Sequence, residues 1–168
     1  VINKKLEGRY VRDFSEFEFM EGAIDAISKL TNRFNRIIIV TNQQGIGKKI
    51  ISDADLNILH TKMEDRIEQS GGKINKIYYC PHLEELDCLC RKPRTGMIFK
   101  AQKRFKIDLS QSIMVGDSLS DMHCAQAARI KKAVLLKPNS LQYLPDIIQP
   151  RRKPYYQART LNAICTLL

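Results

Sequence analysis

Apolar residues in this chain alternate between short β-branched runs and longer stretches with helical spacing, the pattern left by repeated strand and helix units around a parallel sheet. Ala23, Ile24, Ile27 and Leu30 fall on one face of a helix predicted from Gly22 to Leu30. The run from Arg36 to Val40 predicts a buried strand, and a glycine loop, Thr41-Asn42-Gln43-Gln44-Gly45-Ile46-Gly47, follows it. Ser52 with Asp55 three residues on predicts a capping box, opening a helix striped by Leu56, Leu59, Met63 and Ile67 and ending at Gly71-Gly72. Lys76 to Tyr79 reads as the next strand. Met97, Ile98, Ala101 and Phe105 then recur at helical spacing, Ser112 to Val115 is a strand running into Gly116-Asp117, Ser120 to Ile130 a helix, and Ala133 to Leu136 a last strand. Lys137 to Lys153 holds three of the six prolines and reads as irregular or linker-like.

Length and composition, 168 residues with 43% hydrophobic and 27% charged, fit one compact domain over residues 1–168. Its apolar runs fall short of the roughly 18 residues that cross a bilayer, and the polar start (Asn3, Lys4, Lys5) lacks a secretory signal's apolar stretch, so no membrane partner and a cytoplasmic location are expected. The net charge of +10 is concentrated late in the chain, where everything from His123 onward offers only Asp146 against eight Lys or Arg. The basic C-terminal segment, residues 137–168 with Arg151-Arg152-Lys153, reads as a solvated surface run or as a polyanion contact.

In open parallel α/β sheets ligands bind beyond the carboxyl ends of the strands, so the residues leaving each strand carry the candidate chemistry. At the first exit, Thr41, Asn42 and glycine-freed backbone N–H groups could surround a phosphate; the plain alternative is a capped turn that uses glycine for positive φ. The exit Ile113-Met-Val-Gly-Asp117-Ser-Leu-Ser-Asp121 sets two carboxylates four residues apart, a donor set suited to Mg²⁺ together with substrate phosphate. The alternative there is helix capping by Asp117 or Ser118, with Asp121 on the first turn. Arg91-Lys92-Pro93 supplies a cation that could pin a phosphoryl oxygen, or else a surface lysine.

Five cysteines are too few and too uneven for a disulfide scaffold. Cys80, His82, Cys88 and Cys90 crowd into the loop 80–90 and would fill a tetrahedron, which describes a closed, structural zinc site; a reactive thiol pair or unrelated buried cysteines are the competing readings. His60, His123, Cys124 and Cys165 read as structural residues.

Together, TNQQGIG after a strand, CPH with CLC, RKP, and MVGDSLSD after another strand resemble the zinc-bearing branch of the haloacid-dehalogenase phosphatases over roughly Val1 to Asn139. The resemblance implies a three-layer α/β/α Rossmann-like fold with a central parallel sheet and no large cap domain. It implies that Thr41 and Asn42 bind the transferring phosphoryl group, Lys92 stabilises its charge, Arg91 reaches the substrate, and Asp117 ligates Mg²⁺ with Asp121 supporting. By the same resemblance Cys80, His82, Cys88 and Cys90 hold zinc. It further implies Mg²⁺-dependent hydrolysis of a small sugar phosphate through an aspartyl-phosphate intermediate, in a protein expected to be a monomer.

Within the branch, Gly8-Arg-Tyr-Val11, Phe17-Glu-Phe19 and Arg91-Lys-Pro-Arg-Thr-Gly-Met97 are similar to the D-glycero-D-manno-heptose 1,7-bisphosphate phosphatases, whereas the short gap from His82 to Cys88 is similar to the histidinol-phosphate phosphatases. The heptose reading is favoured. TNQ-x-GIG and RKP-x-x-GM also resemble the 3′-phosphatase domain of polynucleotide kinases, which lacks the cysteine set, and a non-catalytic phosphate-binding protein is the remaining alternative.

The family mechanism needs an N-terminal strand ending in Asp-x-Asp-Gly, the first aspartate as nucleophile and the second as acid and base. Val1-Ile2-Asn3 looks like the residues that follow such a motif, and the first aspartate here, Asp13, has no aspartate two positions away. The missing strand would lie mid-sheet, and its loss would leave a gap of roughly 10 Å with two unpaired backbone rows. The expectation is therefore that the natural protein carries about ten further residues upstream, enough for one strand, and that residues 1–168 alone are inactive.

Overall fold

The computed structural model describes residues 1–6, 8–137, 147–148 and 155–166, and the chain divides into two compact units, Ile2–Cys88 and Leu89–Leu168 together with Val1.

The first unit runs through helix α1 (Ala23–Thr31), strand β1 (Ile38–Asn42), a short helical turn α2 (Gln44–Gly47), helix α3 (Asp53–Glu68) and strand β2 (Lys76–Cys80). Gly22 starts α1 at φ 69°, a left-handed conformation that a side chain would strain. The buried face of α1 is Ala23, Ala26, Ile27 and Leu30; Ala26 replaces the predicted Ile24, since positions 23, 26, 27 and 30 follow the helical period more closely. Helix α3 begins with the predicted capping box: Asp55 N donates to Ser52 Oγ (3.1 Å) and Ser52 N donates to Asp55 Oδ2 (3.4 Å). All four residues of its predicted stripe are buried, and His60 is buried with them. After α3 the Gly72 N–H returns to Ile67 O at 3.0 Å, and a Cβ on Gly72 would stand 2.6 Å from Ile67 Cγ2, which explains the glycine.

β1 and β2 pair in parallel, with Ile38 opposite Lys76 and Asn42 opposite Cys80. This register carries β1 two residues beyond the predicted Val40, because backbone pairing with β2 continues to Cys80. β1 is half-buried along its length rather than buried as predicted, and β2 is its one strand neighbour among the described residues.

The second unit contains helix α3's successor α4 (Gly96–Phe105), strand β3 (Ile113–Gly116), helix α5 (Leu119–Ala127) and strands β4 (Lys132–Leu136), β5 (Ile147–Ile148) and β6 (Tyr156–Ala158). Its sheet has the order β3-β4-β6-β5, parallel except that β5 runs against β6. Helix α5 packs on β3 and β4. The strand ending at Leu136 is thus not the last: β6 pairs with β4, Val134 opposite Tyr156, and three-residue pairing of this kind leaves too little periodicity to read from sequence. Of the predicted irregular stretch, Ile147–Ile148 is strand, while Arg151-Arg152-Lys153 and most of the remainder lie outside the described residues. Cys124 is buried as predicted, Cys165 only partly so, and His123 is exposed. No helix among the described residues is long and apolar enough to cross a membrane.

Candidate functional site

In the second unit the tip of β3 and the start of α5 form a tight polar knot. Ser118 is the N-cap of α5: Asp121 N donates to Ser118 Oγ (3.3 Å), and Asp121 Oδ2 in return accepts from Ser118 N (3.1 Å), Ser118 Oγ (2.7 Å) and Asp117 N (3.1 Å). The cap predicted for Asp117 or Ser118 therefore belongs to Ser118, and Asp121 is its reciprocal partner. Gly116 leaves room for this arrangement, since a Cβ there would overlap the Asp121 side chain.

Lys92 enters the same knot. Its Nζ lies 2.7 Å from Asp121 Oδ1, with side-chain exposures of 12% and 5%, so the pair is largely withdrawn from water. Oδ1 accepts no aligned hydrogen bond, which makes the contact an ion pair off the hydrogen-bonding direction. The segment carrying Lys92 is fixed by backbone bonds from Arg94 N to Arg91 O (2.8 Å) and from Gly96 N to Leu89 O (3.1 Å), and the Lys92-Pro93 peptide is cis. The Cys124 thiol donates to Arg94 O at 3.4 Å, and burial pushes it up to about 11. A thiol held neutral in this way is a packing group.

Asp117 differs from Asp121. Its carboxylate is 57% exposed and lies 2.7 Å from the Val1 nitrogen. An exposed carboxylate at a strand tip, backed by a buried one four residues on, is a hard oxygen donor set that fits Mg²⁺, with Asp117 as the group able to ligate and Asp121 already committed to Ser118 and Lys92.

In the first unit Thr41 and Asn42 are the last two residues of β1, opposite Tyr79 and Cys80. Gln43 Nε2 donates to Thr41 Oγ1 (3.3 Å), and Gln43 N donates to Cys80 O (2.7 Å). The loop that follows departs from its sequence reading in two respects. Gly45 and Gly47 do not have positive φ; they are needed for close approach, because a Cβ on Gly45 would stand 3.3 Å from Tyr10 Cδ1 and one on Gly47 2.8 Å from Pro81 O. The N–H groups of Ile46 and Gly47, which the sequence offered to a phosphate, are donated to Gln43 O (3.1 Å) and Pro81 O (3.0 Å), since the chain turns into α2. Tyr10 was not singled out by the sequence: its hydroxyl accepts from Gln44 Nε2 at 2.9 Å and Lys48 Nζ sits 5.6 Å above its ring. Only its place in Gly8-Arg-Tyr-Val11 hinted at it.

Asp53-Ala54-Asp55 does have Asp-x-Asp spacing, yet both carboxylates are occupied at the start of α3, Asp55 in the capping box and Asp53 accepting from the Tyr79 hydroxyl at 2.9 Å.

The four predicted metal ligands come together. The ligand atoms of Cys80, His82, Cys88 and Cys90 all lie within 4.8 Å of one another, with Cys80 Sγ 3.4 Å from Cys88 Sγ and 3.6 Å from His82 Nδ1. A tetrahedron built on the usual zinc bond lengths has sulfur–sulfur and sulfur–nitrogen edges of about 3.5–3.8 Å, close to the two distances from Cys80 Sγ, so the donor set suits zinc. The division between the two units falls inside this loop, after Cys88, and the cluster is the geometry of eleven consecutive residues. The thiols are free of disulfides.

The family described as "Polynucleotide kinase 3 phosphatase" matches residues 1–134. Among curated proteins, the D-glycero-beta-D-manno-heptose-1,7-bisphosphate 7-phosphatase of Neisseria meningitidis serogroup A is 38% identical over 136 residues, covering 81% of this chain and 72% of that protein. The protein of the same name from Escherichia coli strain K12 is 36% identical over 168 aligned positions, covering 86% and 88%. Among solved structures, the D,D-heptose 1,7-bisphosphate phosphatase from B. bronchiseptica, complexed with magnesium and phosphate, superposes with a TM-score of 0.83 at 29% identity, covering 99% of this chain and 92% of that one. Fold, motifs and these likenesses agree, and the chain belongs to the haloacid-dehalogenase superfamily, in the phosphatase family that includes the heptose-bisphosphate enzymes.

Proposed function

We propose that this protein is a Mg²⁺-dependent phosphatase of a small sugar phosphate, D-glycero-D-manno-heptose 1,7-bisphosphate. The observation that carries the reading is the knot at the tip of β3, where a withdrawn lysine is held by one carboxylate while a second carboxylate stays exposed. In this reading Asp117 holds Mg²⁺, which when bound would offset the charge of the phosphoryl oxygens. Asp121 aims the Lys92 ammonium, Lys92 neutralises a phosphoryl oxygen, Thr41 and Asn42 bind the others, and Arg91 meets the rest of the substrate. The attacking carboxylate and its acid–base partner come from an Asp-x-Asp-Gly strand preceding Val1. Cys80, His82, Cys88 and Cys90 hold a structural zinc ion, for which their spacing is suited.

The experiment is phosphate release from a chain that includes the upstream strand, with and without Mg²⁺, on heptose 1,7-bisphosphate, histidinol phosphate and a 3′-phosphorylated DNA strand. Preference for the heptose substrate and loss of turnover without Mg²⁺ are expected, while residues 1–168 alone are expected to be inert. The description of the matching family favours a second reading, a nucleic-acid 3′-phosphatase. Turnover of the DNA substrate above the sugar phosphates, with binding that weakens steeply as salt rises, would establish that reading instead.

A further inference from the structure

The loop after β1 and the start of the metal loop are not independent pieces. Within the first unit Gln43 N donates to Cys80 O at 2.7 Å and Gly47 N donates to Pro81 O at 3.0 Å, so two consecutive backbone carbonyls of the metal loop, one of them on a cysteine of the cluster, anchor the segment that begins at Thr41 and Asn42. Gly47 is packed against this loop so closely that a Cβ on it would stand 2.8 Å from Pro81 O and 3.1 Å from Leu83 Cγ. Pro81 and Leu83 flank His82, and Cys80 is fully buried. A ligand-driven adjustment of residues 41–47 therefore cannot occur without moving the backbone that holds two of the four cluster residues.

We propose that Gly47 is a positioning residue that couples the Cys80-His82-Cys88-Cys90 cluster to the loop after β1, so that occupancy of that loop by phosphate and retention of zinc by the cluster reinforce each other. The phosphate half rests on the reading of Thr41 and Asn42 given above. Reciprocity makes the coupling measurable from the metal side: if zinc orders the loop for phosphate, phosphate must tighten the hold on zinc by the same factor. A zinc ion with a purely local, stapling role would leave no such dependence.

The test uses the zinc-loaded full chain and measures the equilibrium division of zinc between the protein and a chromogenic chelator, with and without saturating inorganic phosphate and Mg²⁺, while calorimetry on the same protein reports phosphate binding. Phosphate is expected to tighten zinc binding by about tenfold, within the usual range of coupling between sites. Gly47→Ala is expected to weaken it by about tenfold, as an added methyl forces the Pro81 carbonyl away. Unchanged zinc affinity in a protein that calorimetry shows to bind phosphate overturns the coupling. If calorimetry detects no phosphate binding, the reading of Thr41 and Asn42 fails instead, and the Gly47→Ala affinity alone decides: weaker zinc binding upholds the role of Gly47, an unchanged affinity overturns it.

Discussion

Replacing Asp121 by alanine removes a carboxylate that is 95% withdrawn from solvent as a side chain and that meets four polar groups on three residues. Its Oδ2 accepts from Asp117 N, Ser118 N and Ser118 Oγ, and its Oδ1 lies 2.7 Å from Lys92 Nζ. The substitution takes from the Lys92 ammonium, only 12% exposed, the carboxylate 2.7 Å away, and breaking a buried ion pair of this kind by removing one partner costs about 3–5 kcal/mol. Loss of the reciprocal half of the α5 cap adds about 1 kcal/mol, so Asp121→Ala should sit near the top of that range. Lys92→Met, which strands the carboxylate but leaves its backbone hydrogen bonds, should cost about 3 kcal/mol. In the double variant both members of the pair are gone, and its cost should fall short of the sum by about 2 kcal/mol. Urea unfolding of the four proteins at neutral pH measures the cycle. Energies that add to within about 0.5 kcal/mol would show that the two charges do not depend on each other, and the positioning role given to Asp121 would go with them.

Ser52→Ala should cost about 1 kcal/mol, because the capping box on α3 loses its acceptor for Asp55 N; an unchanged urea midpoint would mean that water replaces the hydroxyl without loss. Burial lowers the pKa of His60 below its ordinary 6.5, so the unfolded chain takes up the proton first and stability should fall as pH drops below about 6.5 toward the folded value; melting temperatures of His60→Leu should lose that part of the slope, and an identical pH profile would contradict it. Cys88→Ser should lose zinc measured by metal analysis of the purified protein, with a lowered melting temperature, and full zinc retention would remove Cys88 from the ligand set. Lys92→Ala in a chain with the upstream strand should lower kcat by 100-fold or more, about 3 kcal/mol of lost charge stabilisation, and near-normal turnover would exclude Lys92 from the chemistry.

Much of the molecule was legible because short-range rules suffice for it. The α3 cap needs only Ser52 and Asp55 three residues apart, and the stripe Leu56, Leu59, Met63 and Ile67 needs only the helical period. The Cys80-His82-Cys88-Cys90 cluster was legible for the same reason: its four side chains fall within eleven residues, so their meeting needs no partner distant in the chain. The two-residue and three-residue strands β5 and β6 were not legible, since their pairing depends on partners elsewhere in the second unit and leaves no period of its own. Nor was the use of Gly45 and Gly47, which the sequence reading assigned to a phosphate cradle or to a turn with positive φ and which in fact make space for Tyr10 and Pro81.

The sequence by itself determined the residue types, the spacing of the two carboxylates after β3, the four candidate metal ligands and the family to which the chain belongs. Tertiary structure alone decided how the two aspartates divide their work. Asp117 and Asp121 are chemically identical and four residues apart, yet one is exposed while the other is buried between a helix cap and Lys92. That difference comes from burial and from a lysine 29 positions away in the chain, and distance along a sequence carries no record of distance in space.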